Sequence, residues 1–422
     1  MRRIEPELAV DDLRASAVLP FEPAAPASPG VSSPFGPAAP FGSPAFAERD
    51  ARDITPPSVP RVPEPIPGRR VSGSLGPAQR FLLRVPQRWN GGLVVAGTPG
   101  QRTEFACDLL FGDPLLARGY AYIAGNKGQG DGAVLLAPGA TFAVDGTVVP
   151  RFFLPGGIAL ALWQLAPGHT IEAWSDDFLA LTELARELIA ELHGRAPERV
   201  YAVGLSNGGY QVRRAIERSD AFTGALTWNA VMWTPRHNVL RYLPAAIGAL
   251  EAGRPDDLVA LGIPPDVVGT DGTSLYQRNL LTYYYITAWL HAVQLDPATS
   301  LAYGDTTDTE PAESWQARIG SWRLEDAPRV VERIAGFANT GAIRCKLIEL
   351  AAEFDHLVPP LVHDAPYGEL VRAAGCAERR RSTVVPFAQH VDAWSELPEF
   401  PNMRTAYRQM WAAFDELVEW AG

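Results

Sequence analysis

The sequence predicts an α/β fold in which a mostly parallel central sheet is covered by helices on both faces. Short apolar segments alternate with amphipathic segments along most of the chain, which is the pattern of strands joined by crossover helices. One apolar segment, residues 200–204, leads directly into the pentapeptide Gly204-Leu-Ser-Asn-Gly208, and a helical segment follows at once. A serine between a strand and a helix in this glycine spacing is typical of a nucleophile elbow.

Composition limits the classes of protein to which the chain can belong. The 422 residues are 47% hydrophobic and 20% charged, which suffices for a sizeable core. The net charge of −11 argues against a general nucleic-acid-binding surface, and no apolar stretch is long enough to span a bilayer. The three cysteines are too few for a disulfide framework and fit a reduced compartment, or one optional bridge and a free thiol. They are Cys107, Cys345 and Cys376.

The first 67 residues are rich in Pro, Ala, Ser and Gly. Proline at this density opposes both helices and sheet ladders, so residues 1–67 are predicted to form a disordered or extended arm. Arg2 and Arg3 are followed by acidic residues and not by an apolar region, so no export signal is recognisable and a cytoplasmic location is expected.

The remaining chain divides into three parts. Residues 68–234 are predicted to be the first part of the core, with a β-rich insertion at 134–166 that includes a hairpin turning at Asp145-Gly146. In residues 235–335 the alternation of strands and helices lapses, which indicates a mainly helical cap. Residues 336–422 complete the core.

The core elements follow from local patterns. Strands are predicted where short apolar runs lie between Gly, Pro or Asn, and helices where apolar residues recur every three or four positions. The helix over 176–193 is predicted to end at Gly194 and to have Ser175 as its N-cap. The predicted strands are 80–86, 93–96, 120–124, 200–204, 224–233, 345–351 and 381–386, and the predicted helices are 104–118, 176–193 and 403–420.

The candidate nucleophile is Ser206. At the tip of so sharp a turn, the residues two before and two after the serine approach each other closely, which explains Gly204 and Gly208. A serine hydroxyl needs a base to take its proton and a third group to hold that base.

Asp355 and His390 are the predicted acid and base. Each follows the end of a later strand, where open α/β sheets place their sites, and the order Ser, acid, His suits an elbow serine. Other candidates stay open at this point. They are His363 as the base, and Asp305, Asp308 or Glu353 as the acid; Asp392 is out of order.

An oxyanion needs convergent backbone N–H groups. The residue after the nucleophile, Asn207, is predicted to supply one. The glycine-rich loop after strand 93–96 is predicted to supply the other, from Gln101 or, failing that, from Gly100.

Aromatic residues are frequent in and near the cap. Trp233, Tyr284, Trp289 and, beside the acid, His356 are candidate substrate-binding residues, although packing between cap and core is the more frequent use of such side chains. No nucleotide-binding loop or convincing set of metal ligands is present, so neither a cofactor nor a metal is expected.

From about residue 80 onward, with Ser206, Asp355 and His390 in this order, the chain resembles the α/β-hydrolase-fold serine esterases. The elbow Gly204-Leu-Ser-Asn-Gly-Gly209 is similar to that of the tannase and feruloyl esterase group and of the 3-hydroxybutyrate oligomer hydrolases. Tannase-type enzymes tend to carry bridged cysteines beside the serine and histidine, where this chain has Leu205 and Gln389.

The resemblance implies hydrolysis of carboxylic esters through an acyl-enzyme, with aromatic or hydroxyalkanoate-oligomer esters as candidate substrates. A peptidase or acyltransferase of the same fold, and a non-catalytic binding protein, are the alternatives. The expected partner is a small-molecule or oligomeric ester, with no nucleic acid and no membrane span.

Overall fold

The computed structural model describes residues 50–59, 62, 66–76, 79–100, 102–128, 170–296, 298–299 and 312–422. Short strand segments before residue 50 and within 133–162 are described by their backbone alone. In that part of the chain, no helix is both long and apolar enough to cross a membrane.

A nine-stranded sheet forms the centre of the described structure. Its strands in space follow the order β1-β2-β3-β5-β4-β6-β7-β8-β9, and every pair from β5 to β9 is parallel, whereas β1, β2 and β3 are antiparallel to their neighbours. The strands are β1 (Ala9–Asp12), β2 (Gly68–Ser74), β3 (Arg80–Pro86), β4 (Gly92–Gly97), β5 (Ala121–Gly125), β6 (Arg199–Leu205), β7 (Gly224–Trp228), β8 (Lys346–Ala352) and β9 (Arg380–Val385).

The helices of the described residues lie around this sheet and in the segment between β7 and β8. They are α1 (Asp113–Ala117), α2 (Trp174–His193), α3 (Asn207–Arg218), α4 (Val239–Glu251), α5 (Asp257–Ala260), α6 (Leu275–Asn279), α7 (Tyr285–Leu295), α8 (Ala312–Ser321), α9 (Pro328–Phe337), α10 (Pro360–Ala373) and α11 (Tyr407–Ala421). Two π-helical turns, Asp108–Gly112 and Leu280–Tyr284, precede α1 and α7.

The central strands are buried on both faces because alternate side chains enter two separate cores. In β4, Leu93 and Val95 pack with α2 and α3, whereas Val94 and Ala96 pack with α1 and α11. This confirms the predicted α/β class with helices on both faces.

The segment predicted to be a cap is mainly helical, from α4 to α9. Its helices pack around a third hydrophobic core, which includes Trp233, Leu243 and Trp289 and is shared with Trp174 and Tyr210 of the helices on the sheet. The predicted strand 224–233 ends earlier, at Trp228, and the chain continues as a loop toward α4. The last helix begins at Tyr407 and not near residue 403.

The helix α2 ends at Gly194, which adopts a positive φ of 70° as predicted. Ser175 does not cap this helix, and that prediction is wrong. The helix begins one residue before it, at Trp174, and the buried Ser175 hydroxyl accepts a hydrogen bond from Arg218 instead.

Several segments of the range 1–67 are structured, so the prediction of a disordered arm is corrected for them. Strand β1 pairs with β2, and residues 31–33 pair with the strand Ala133–Leu136 of the β-rich insertion. Residues 50–59 lie against the core, with Ile54 and Val59 buried. Strand β1 lies at the edge of the nine-stranded sheet, where proline-rich sequence is tolerated. Within the insertion, residues 143–144 pair with 147–148 around the predicted turn.

Candidate active site

The strand β6 ends at Leu205, and the helix α3 begins at Asn207, so Ser206 alone makes the turn. Its φ of 58° and ψ of −121° are strained values for a residue with a side chain. Backbone hydrogen bonds hold this geometry, because the Ser206 N–H donates to the Trp228 carbonyl at 3.0 Å and the Ser206 carbonyl accepts from Tyr210 and Val231. The predicted elbow is therefore present.

Glycines make this turn possible. A Cβ at Gly204 would lie 2.4 Å from the Gly208 carbonyl oxygen, and a Cβ at Gly208 would lie 2.0 Å from the Gly97 carbonyl oxygen. Both distances are far below van der Waals contact, so the start of α3 touches the end of β4 directly. The close approach brings the elbow beside the glycine-rich loop that follows β4.

Three side chains are hydrogen-bonded in series at this point. Ser206 Oγ lies 3.1 Å from His390 Nε2, and His390 Nδ1 lies 2.8 Å from Asp355 Oδ2. Because a carboxylate only accepts, Nδ1 carries the proton, and Nε2 is left with a lone pair directed at the serine. The structure thus brings together the predicted nucleophile, base and acid.

The carboxylate of Asp355 is fully buried, and both of its oxygens are used. Oδ1 accepts hydrogen bonds from the N–H groups of Leu357 and Val358 at 3.0 and 2.7 Å, while Oδ2 accepts from His390. This fixes the carboxylate in one orientation, which in turn fixes the imidazole.

Asn229 holds the loop that carries His390, a role that the sequence analysis does not predict. Its side-chain amide donates to the His390 carbonyl at 2.9 Å, and its side-chain oxygen accepts from the Ala352 N–H at 2.7 Å. The residue has a positive φ of 47°, which asparagine tolerates better than most residues. An asparagine directly after a central strand was the only available signal.

The Asn207 N–H is the first of α3, whose first-turn N–H groups have no partner within the helix. Asn207 and Gly100 both line the space beside Ser206, and their N–H groups remain the candidate oxyanion donors. Gln101, the preferred second donor, lies outside the described residues.

A buried lysine, Lys127, braces the loop after β4. Its ammonium donates to the Thr98 carbonyl at 2.7 Å, to the Thr98 hydroxyl at 2.9 Å and to the Pro99 carbonyl at 3.5 Å. Burial lowers the pKa of this amine to about 7. No sequence motif marked Lys127, because its role depends on a loop that is distant in the chain.

We expect a pH-dependent stability from Lys127. Since its folded-state pKa lies below the ordinary value of 10.5, folding penalises the ammonium form. That penalty is fully present below pH 7 and is relieved as the pH rises from 7 toward 10.5. The free energy of unfolding of the wild type, minus that of Lys127→Met, should therefore increase by about 2 kcal/mol between pH 7 and 9. Urea titrations at each pH measure it, and a flat difference would contradict it.

No protein-family model and no curated protein matches the sequence. Among solved structures, the chain is similar to feruloyl esterase B from Aspergillus oryzae, with a TM-score of 0.51 and 11% identity over 92% of this chain and 81% of that one. The chain has an α/β-hydrolase fold.

It is also similar to an esterase from Aspergillus oryzae, with a TM-score of 0.45, 12% identity and coverage of 100% and 87% of the two chains. A further match is EstE1, a thermophilic carboxylesterase cloned from a metagenomic library, with a TM-score of 0.44, 15% identity and coverage of 85% and 90%. At these identities, the likeness concerns the fold alone.

In this α/β-hydrolase fold, a cleft that is partly open to solvent lies over Ser206. Its wall is largely aliphatic. The lining side chains besides Ser206, Asn207 and His390 include Ile54, Val231, Val239, Leu357, Val358 and Val391, together with Pro99, Arg102, Tyr283 and Thr287.

The four candidate substrate-binding residues do not line this cleft. Trp233 is fully buried against His291 and Phe337, and Trp289 belongs to the same helical core. Tyr284 donates its hydroxyl proton to the His356 carbonyl, and the His356 ring meets the Pro265 carbonyl. These residues connect or fill the helical segment, so the prediction is wrong for them.

The tyrosine that does reach the cleft is Tyr283, whose ring lies 6.4 Å from that of His390. The π-helical turn Leu280–Tyr284 changes the helical period just before α7. Sequence periodicity therefore could not tell which of three consecutive tyrosines faces the cleft.

The other candidate bases and acids have different roles. His363 is buried, accepts from the Met232 N–H and meets the Tyr242 hydroxyl at 3.0 Å. Glu353 accepts from the Phe387 N–H, and Asp392 caps the approach to α11. Asp305 and Asp308 lie outside the described residues. Within the described ranges, no group of three or more His, Cys, Asp or Glu is arranged to hold a metal, and the three cysteines are unpaired.

Proposed function

We propose that this protein is a serine hydrolase that cleaves carboxylic esters through an acyl-enzyme. The observation that carries the proposal is the continuous chain of hydrogen bonds from Ser206 through His390 to the buried Asp355, at the floor of a cleft. A nucleophile, a base and an orienting acid in this arrangement perform acyl transfer on several unrelated folds.

In the first half of the reaction, Ser206 Oγ attacks the ester carbonyl carbon and its proton passes to His390 Nε2. The carbonyl oxygen becomes an oxyanion, which accepts a hydrogen bond from the Asn207 N–H and one from the loop after β4. When the carbon–oxygen bond breaks, His390 returns the proton to the departing alcohol.

In the second half, His390 removes a proton from water, and the resulting hydroxide attacks the acyl-enzyme carbonyl. Collapse of this intermediate releases the carboxylic acid and restores the serine with the proton from His390. The rigid carboxylate of Asp355 stabilises the imidazolium in both halves. Neither half requires a metal or an organic cofactor.

The acyl-enzyme can be trapped directly. A fluorophosphonate should form one covalent adduct per chain, and peptide mass spectrometry should locate it on Ser206. Adding p-nitrophenyl acetate in excess first should slow the labelling, since both reagents use the same hydroxyl. An unlabelled Ser206, together with no ester hydrolysis, would refute the proposal and favour a non-catalytic binding protein.

A further inference from the structure

One wall of the cleft comes from a part of the chain far from the rest of the site. We call residues 50–59 the N-terminal strap. Ile54, at its middle, is 1% exposed and lines the same cleft as Ser206 and His390. It also packs in the core cluster that contains Val391, the residue after the candidate base.

Buried charges hold the start of the strap in place. The Asp50 carboxylate accepts from the Thr103 N–H at 3.0 Å and from the Arg102 guanidinium at 2.9 Å. The same guanidinium nitrogen donates to Asp53 at 3.2 Å. Both carboxylates are almost completely buried, so removing either from its partner would leave a charge without compensation. Arg102 and Thr103 come just after the candidate oxyanion loop, so the strap is tied to the catalytic side of the cleft.

The far end of the strap is also anchored, and its interior is braced. The Ser58 N–H donates to the Glu396 carboxylate at 2.8 Å. Arg52 donates to the Val59 carbonyl at 2.9 Å, and the Thr55 hydroxyl donates to the Ala51 carbonyl at 2.7 Å. These contacts hold Ile54 in its place in the cleft wall.

The chemistry of the wall indicates what the cleft accepts. Six of its side chains are aliphatic, and Arg102, the one permanently charged side chain among the described lining residues, is already bound to two carboxylates of the strap. An aliphatic chain gains free energy by leaving water for such a wall, whereas a charged group loses its hydration without a free partner.

We infer that the N-terminal strap is a specificity element: the site takes esters with a short aliphatic chain, and Ile54 limits the length of that chain. This inference rests on the proposed ester hydrolysis. The chain in question can belong to the acid or to the alcohol of the ester, because both halves meet at the scissile bond above Ser206.

The test compares kcat/KM across two ester series in the wild type, Ile54→Ala and Ile54→Phe. In one series, p-nitrophenyl esters run from acetate to octanoate; in the other, acetates carry alcohols from methyl to hexyl. A single methylene in an apolar pocket changes kcat/KM by about tenfold or more. We therefore expect Ile54→Ala to raise the long-to-short ratio about tenfold or more in one series, and Ile54→Phe to lower it.

Ile343→Ala is the matched control. Ile343 is also 1% exposed, but it packs in the core on the other face of the sheet, away from the cleft. The long-to-short ratios of kcat/KM in Ile343→Ala should equal those of the wild type, even if the variant is less stable. Should Ile54→Ala not fold, Ile54→Val provides the smaller change in the same direction.

The outcomes separate the two proposals. Wild-type ratios in all Ile54 variants of an active enzyme would overturn the role of the strap and leave ester hydrolysis standing. A wild type that neither hydrolyses any ester of the two series nor labels at Ser206 would overturn both. A changed ratio in the first series means that Ile54 contacts the acid part of the ester. A changed ratio in the second series means that it contacts the alcohol part.

Discussion

Replacing Ser206 with alanine is expected to lower kcat for p-nitrophenyl acetate by about 10⁴- to 10⁶-fold, with little loss of stability. The hydroxyl oxygen is the only heavy atom removed, and it lies 3.1 Å from Nε2 of His390. Without it no acyl-enzyme can form, and only the stabilisation of the oxyanion by backbone N–H groups remains. Steady-state kinetics with purified enzyme measure the loss of kcat. A urea titration measures the stability of the variant.

Two further variants sharpen this result. In Ser175→Ala another buried serine is truncated, one that accepts a hydrogen bond from Arg218, and the rate should stay close to that of the wild type. In the double variant Ser206→Ala, His390→Ala the second change should add almost nothing, because residues that act as one unit are not additive. Multiplicative losses would show that His390 acts independently of the serine, contrary to the proposed mechanism.

The elbow was predictable because its requirements are local. The spacing of Gly204, Ser206 and Gly208 expresses a steric need within five consecutive residues, and the structure shows the close approach that imposes it. Asp355 and His390 could be predicted for a topological reason. Parallel strands end at the same edge of the sheet, so residues that follow β8 and β9 meet above β6.

Residues whose role depends on distant partners could not be predicted. Asn229 binds a loop 161 residues further along the chain, and Lys127 reaches back to Thr98. Neither belongs to a motif. The prediction of substrate-binding aromatic residues failed for another reason. A tryptophan such as Trp233 can pack in a core or line a cleft, and the sequence does not distinguish the two.

The N-terminal strap shows the limit of composition. Average proline content predicts disorder for residues 1–67, yet order there depends on a few single contacts, such as Asp50 with Arg102. The ten residues of the strap are held by two buried carboxylates, the buried Ile54 and a few hydrogen bonds, such as that from Ser58 to Glu396. A composition average over 67 residues conceals such single contacts.

The largest expected effect on stability comes from Gly208→Ala. The added methyl group would lie 2.0 Å from the carbonyl oxygen of Gly97 and 2.3 Å from its carbonyl carbon. Neither atom can swing aside as a side chain would, because both belong to the backbone of β4 at the centre of the sheet. The clash can be relieved only if α3 moves away from β4, which would disrupt the core that the two elements share. We expect a loss of at least about 3 kcal/mol in the free energy of unfolding.

Activity should fall with stability in Gly208→Ala, since Ser206 and the N–H of Asn207 stand at the start of the helix that must move. The control is Gly336→Ala in α9, where an added Cβ meets nothing within 4 Å. Alanine is a better helix former than glycine, so Gly336→Ala should gain about 0.5–1 kcal/mol and keep its rate. Urea titrations and ester hydrolysis on both variants decide the matter. Wild-type stability in Gly208→Ala would mean that β4 and α3 do not touch, and the elbow would then lack the support that holds Ser206 in its strained conformation.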